Sequence, residues 1–413
     1  MPWRPDQLVC GVTYWPAEVG PYLWHEYDAE RTRRDLRRIR GAGLEAVRVP
    51  LAWDAFVPSP RQVSRFRLRD LESLLQIAQA ESLRVVPVLF AQSFGDCVML
   101  PRYAIARDRP WPGVRVVCDG AVERGGPRDV WSDPLMLEVE TLWLEELLRA
   151  FAGHPALLAW DLGHDPATTC RPLRIAHLAS WAAMMGGRVR AAQDACWMTF
   201  GAGDVLSARG VRLHVVAPHV DALGMLVHPQ ALRLPGQPLE VARVLFLLRV
   251  AQRLAGAPAP LVAVTGITAE PVAPVENPDP AAVPPRGPVE TVEPAPAAAA
   301  VRHTGALLER LPESGAAAAL AAAWCDLGAR ALDAPPFDRR HWLGRTGIAA
   351  ADGELKPHGQ VWSSLGHRDI AAGEAAPWPA DAGFEVEEWY ANLPDASNDM
   401  FGRFLAESDV VPQ

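Results

Sequence analysis

The stretch His154-Pro-Ala-Leu-Leu-Ala-Trp-Asp-Leu-Gly-His-Asp-Pro166 decides the reading of this chain. Residues 157–162 form a short, largely apolar run, long enough for a strand buried on both faces. The run stops abruptly at Gly163, His164, Asp165 and Pro166. Polar residues at the C-terminal end of a buried strand are where a parallel α/β barrel puts its chemistry.

Similar runs lie on either side. Residues 8–15, 46–53 and 84–90 read as strands one to three, and 195–201, 221–228, 260–266 and 315–326 as strands five to eight. Segments with helical spacing alternate with them: 28–40, 70–80, 134–151 behind the cap Asp133-Pro134, 172–190, 239–254, 301–311 and a closing 356–365. Eight strand-like runs alternating with helical segments predict one (β/α)8 barrel over residues 1–366, with long loops on its C-terminal face. The loop 91–133 is long enough to suggest a functional overhang and carries Phe94, Asp96, Tyr103, Trp111 and Trp131. Residues 268–300 are rich in Pro, Ala, Val and Glu, so a disordered insertion is expected after strand seven. Residues 367–413 read as a tail or lid.

Composition bounds the function. A hydrophobic fraction of 49% in 413 residues supports a sizeable core. The net charge of −9 carries no block of like charge, which argues against a nucleic-acid partner or an anionic membrane surface. No apolar run reaches the ~18 residues of a membrane span. The start Met1-Pro-Trp-Arg-Pro-Asp-Gln7 lacks the apolar core of a signal peptide, so a cytoplasmic location is expected. The six Cys form no CxxC pair and read as free thiols. Lys356 is the only Lys, a bias pointing to a GC-rich bacterial genome rather than to a function. The 15 Trp are more informative, because indole faces stack on sugar rings, although they also fill cores.

Several motifs then converge. Strand one ends Gly11-Val-Thr-Tyr-Trp15, strand two holds Arg48 in Val-Arg-Val-Pro before Trp53 and Asp54, and strand six ends Val227-His-Pro229. Strand eight ends Trp324-Cys-Asp326, and Gly347-Ile-Ala-Ala-Ala-Asp-Gly-Glu-Leu-Lys-Pro357 follows. Together with Gly163-His-Asp-Pro166, these resemble clan A glycoside hydrolases near family 5, over about residues 8–366. The resemblance implies a retaining O-glycosidase with no cofactor or metal, acting on an oligosaccharide or glycoside. It assigns substrate contacts to Trp15, Arg48, Trp53, His164, His228 and Trp324, with a neutral sugar lying over Trp324.

The departures fall on the reacting centre. Where the family has Asn-Glu-Pro, with Glu as acid/base, this chain has His164-Asp165-Pro166. The nucleophile Glu at the end of strand seven falls on Val264 or Thr265, neither a carboxylate. The Tyr after the family's His-Pro is Gln230. Retaining hydrolysis needs two carboxylates about 5–5.5 Å apart. Asp165, one methylene short, is misplaced, and an ion pair with His164 would lower its pKa and spoil it as an acid. Three readings follow: a catalytically impaired barrel that still binds saccharide, an active glycosidase pairing Asp165 with Glu270 or Asp326, and a structural barrel that docks proteins. His164 and His228 on separate strands are too few to suggest a metal.

Overall fold

The computed structural model describes residues 5–256, 260–270, 290–368, 370–373 and 385–407. At its centre, eight parallel strands close into a barrel: β1 (Val9–Thr13), β2 (Ala46–Pro50), β3 (Arg84–Phe94), β4 (Trp160–His164), β5 (Cys196–Gly201), β6 (Ala222–Val227), β7 (Leu261–Thr265) and β8 (Ala316–Ala321). The order is β2-β1-β8-β7-β6-β5-β4-β3, and the β2–β3 pairing completes the circle. These strands are apolar almost throughout because each is covered inside and outside. The interior is filled by Trp197 set among small residues, including Ala46, Ala159, Ala222 and Ala318, with Val86, Val262, Val264 and Leu320 completing the layers.

A helix follows each strand: α1 (Ala29–Gly41), α2 (Arg65–Ala80), α3 (Pro134–Phe151), α4 (Ile175–Ala191), α5 (Leu213–Val216), α6 (Val241–Ala255), α7 (Ala297–Arg310) and α8 (Pro357–Gly366). Asp28, Ser64 and Asp133 cap α1, α2 and α3 by accepting first-turn backbone N–H groups. After these, α9 (Val386–Ala391) and α10 (Asp395–Glu407) pack on the barrel's flank. Phe401 meets Phe246 of α6, and the buried Trp389 and Tyr390 donate to the carbonyls of Val205 and Asp204.

The strands depart from the sequence reading in three places. β4 begins at Trp160 rather than Leu157 and runs through His164, because Asp161 and His164 find partners inside the barrel and polar residues can therefore end the strand. β3 continues past Phe90 to Phe94. The run 315–326 is split: β8 stops at Ala321, and Ala323–Cys325 forms a separate pair with Gly347–Ala349.

Parts of 268–300 are packed rather than loose. Ala269 bridges to Ala295, and both join Ile267 and Ala300 in a small buried cluster. Helix α7 begins at Ala297. Residues 271–289 lie outside the described residues. The six Cys are free and buried. Among the described residues, no helix is long and apolar enough to cross a membrane.

Candidate functional site

Arg48 lies beneath the mouth of the barrel with no exposed surface. A buried guanidinium must find acceptors. Its Nε donates to Asp161 Oδ2 at 2.8 Å and one Nη to the Gly163 carbonyl at 3.1 Å, while the other Nη lies 2.9 Å from His164 Nδ1. Asp161 also accepts from the Thr199 hydroxyl at 2.6 Å and from the amides of Thr199 and Gly163 at 3.0 and 3.2 Å. The anion that Arg48 requires is therefore Asp161, a residue the sequence reading passed over. An acid inside an apolar strand was its only signal.

The same contact fixes His164. Arginine only donates, so Nδ1 accepts and the imidazole is the neutral Nε2–H tautomer. Burial, with Arg48 and His228 adding to it, holds its pKa well below the usual histidine range. The expected ion pair between His164 and Asp165 does not form, because the imidazole is neutral and committed to Arg48.

Asp165 sits in the left-handed region, at φ +52° and ψ 62°, which Asp and Asn tolerate better than other residues apart from Gly. Its Oδ2 accepts from the Thr168 hydroxyl at 2.8 Å, and its main-chain carbonyl accepts from Ser93 at 3.0 Å. Oδ1 packs on Gly201 so closely that a Cβ there would lie 2.2 Å away. Beyond Gly201 is Asp204, fully buried, accepting from the amides of Gly201 and Val211 at 2.9 Å each. Burial raises the pKa of Asp165, and burial followed by the Asp165 charge raises that of Asp204 to about 8. The direction is opposite to the lowering expected from a histidine neighbour.

At the end of β7, Val264 is buried in the barrel's interior layer. Thr265 faces outward, into a small cavity shared with Thr304, Leu307, His358 and Trp362. The next residue, Gly266, lies against the mouth: a Cβ on it would be 2.7 Å from that of Ala322 and 3.0 Å from His228 Nδ1. His228 occupies this corner. Its Nδ1 is 3.4 Å from the Gly266 carbonyl, its ring meets Trp342 edge to face at 5.3 Å, and burial lowers its pKa to about 4. Gln230 faces away from the mouth and clamps the chain after β7. Its amide nitrogen donates to the carbonyls of Thr268 and Glu293 at 2.9 Å each, and its oxygen accepts from the Thr268 amide at 2.8 Å.

These residues border an open cleft of about 310 Å³ at the C-terminal ends of the strands. Trp15, His164, Asp165 and His228 line it, while Arg48 lies below. Trp53 does not: it is buried behind β2 and β3, with Nε1 on the Tyr103 hydroxyl at 3.1 Å and its ring against Phe90 and Trp143. Trp324, 2% exposed, belongs to the main core, because the chain leaves the barrel ladder at Ala322. The aromatic lining comes instead from Trp15, Phe94, Phe337 and Trp342. Of the alternative carboxylates, Glu270 is exposed and outside the cleft lining, and Asp326 is bound to Lys356 at 2.6 Å. Glu290 does line the cleft, 2.6 Å from Arg340. It was hidden in a segment whose composition predicts no structure.

The barrel matches solved glycoside hydrolase structures. A GH5_18 variant from Streptomyces cattleya, in complex with Manb1-4GlcNAc, superposes at a TM-score of 0.74 with 15% identity over 97% of this chain and 91% of that one. A GH5_18 protein from Bifidobacterium longum subsp. infantis gives 0.66 at 17% identity, covering 90% and 81%. An exo-beta-1,4-mannosidase from Opitutaceae bacterium strain TAV5 gives 0.65 at 20% identity; this chain spans 87% of itself and 59% of that longer protein. This chain has the fold of these glycoside hydrolases. No protein-family model and no curated protein matches the sequence.

On this barrel, the described residues bring two carboxylates to the cleft, Asp165 and Glu290. The first is bonded to Thr168 and the second to Arg340. Among the described residues, no group of three or more His, Cys, Asp or Glu is placed to hold a metal.

Proposed function

We propose that the cleft binds a saccharide and does not hydrolyse it by the double displacement typical of this fold. The observation that carries the reading is the end of β7, where Val264 points inward, Thr265 outward, and Gly266 is closed off by Ala322 and His228. Without a carboxylate there, no glycosyl-enzyme ester forms. Saccharide binding is supported by the aromatic lining and by the Manb1-4GlcNAc seen with the Streptomyces cattleya structure. Trp342 is the platform we assign in place of Trp324. Calorimetry with Manβ1-4GlcNAc should give saturable binding that Trp342→Ala weakens about 10-fold or more. Release of nitrophenol from aryl β-mannosides and β-galactosides should stay at the level of a blank.

A second reading is favoured by one observation: Asp165, its carboxyl raised by burial as a general acid requires, shares the cleft with Glu290. Turnover at ordinary enzyme rates, lost in both Asp165→Asn and Glu290→Gln, would establish this two-carboxylate glycosidase and overturn the first reading.

A further inference from the structure

One cation of the cleft has no counter-ion among the described residues. Arg233, in the loop after β6, is exposed and lines the cleft. Among the described residues it has no ion-pair partner. Arg340, in the loop after β8, lines the same cleft with Glu290 as its close partner and Asp96 at 4.0 Å. The His228–Trp342 contact holds these two loops together. On the acidic side, Glu290 is engaged by Arg340, and Asp165 is bonded to Thr168 and lies within the field of Arg340. Both imidazoles are held neutral.

His164 presents Nε2–H, because Nδ1 accepts from Arg48. Trp15 and Trp342 line the cleft with their rings, while their indole N–H groups are buried away from it. An imidazole N–H beside a guanidinium that has no counter-ion among the described residues suits an anion better than a row of hydroxyls, against the chain's net charge of −9. The end of β7 agrees. In a double-displacement site the nucleophile's carboxylate would stand there and repel an anionic ligand, and here Val264 and Gly266 leave no such charge.

We infer that the saccharide held in this cleft carries an anionic group, a carboxylate, sulfate or phosphate, placed between Arg233 and Arg340. This inference rests on the saccharide-binding reading above and names the ligand class for that site. Arg233 is the specificity-determining residue, free to bind. Arg340 can turn from Glu290 to the ligand.

Calorimetry on the full chain at neutral pH tests it, with β-1,4-mannobiose, di-β-1,4-mannuronate, mannobiose 6-sulfate and mannobiose 6-phosphate as probes. At least one anionic disaccharide should bind about 5-fold or more tighter than the neutral one, and which one does so identifies the anion. In Arg233→Gln that disaccharide should bind no more tightly than mannobiose does to the same variant. Raising NaCl from about 50 to about 300 mM should weaken the anionic probe alone. Mannobiose binding as well as every anionic probe would overturn the inference and leave the binding reading standing. A preference for the anion that persists in both Arg233→Gln and Arg340→Gln would also overturn it. Silence with all four probes overturns both readings.

Discussion

A guanidinium with no exposed surface lies under the cleft, and the local arrangement follows from satisfying its donors. Arg48 reaches a carboxylate, an imidazole nitrogen and a carbonyl, all supplied by β4. Its removal strands Asp161 as a buried charge that keeps Thr199 but loses its counter-ion. Arg48→Met, which preserves much of the side-chain volume, is therefore expected to destabilise the fold by about 3–5 kcal/mol in urea unfolding. Arg48→Lys should recover only part of that, because an ammonium cannot span three partners in a plane. A loss below about 1 kcal/mol in Arg48→Met would show that the pair does not hold this corner. The need for an anion was legible in Val-Arg-Val, since a charge between two buried valines has to be met. Its partner was not, because β2 and β4 are joined through the barrel's interior, 113 residues apart in sequence. Nor was the state of His164, which depends on which ring nitrogen faces Arg48. The same limit applies to the indoles: Trp15 reaches the cleft while Trp53 and Trp324 fill cores, and the motifs that name them are alike in sequence.

The elements themselves were largely readable, because strands covered on both faces appear as continuous apolar runs separated by helical spacing. Legibility failed where tertiary partners override composition. β8 ends at Ala321 because the next residues find a different neighbour in Gly347–Ala349. The Pro- and Ala-rich segment after β7 is anchored at both ends by Gln230, the residue whose substitution for tyrosine looked like a loss. That anchor brings the chain back so that Glu290, its amide on the Arg339 carbonyl, sits at the cleft. Gln230→Ala leaves the buried Thr268 amide without an acceptor, at a cost of about 1–3 kcal/mol. Hydrogen exchange should accelerate at the Thr268 and Ala295 amides while the amides of β7 stay protected. Unchanged exchange at both positions would mean that the loop is held by the Ala269–Ala295 bridge alone.

The whole molecule couples these groups to pH in two opposite senses. Burial lowers His228 and His358 to about 4 and pushes His164 and His303 down as well. Unfolded, each would bind a proton below its ordinary value of 6.5, so between about 6.5 and 4 the unfolded chain holds more protons than the folded one. Stability from these four is complete above 6.5 and falls as pH falls through that window. Asp204 behaves in reverse. Its folded value of about 8 lies above the ordinary 3.8, so the folded state keeps a proton that the unfolded chain releases, and this contribution is lost as pH rises toward 8. Above 6.5 the histidines add no slope and Asp204 acts without their opposition. The denaturation midpoint is thus expected to fall toward pH 8 as Asp204 loses its proton, while below 6.5 the imidazoles act against the carboxyls that burial raises, Asp204 with Asp35, Glu140, Asp165 and Asp326. Asp204→Asn lowers the curve as a whole, because an amide oxygen serves one of the two backbone donors from Gly201 and Val211 rather than both. It also has nothing to titrate at this position, so its midpoint should fall less than that of the wild type between pH 6.5 and 8. An alkaline limb of equal slope in wild type and Asp204→Asn would place the titrating group elsewhere, with Asp165, across Gly201, the next to substitute.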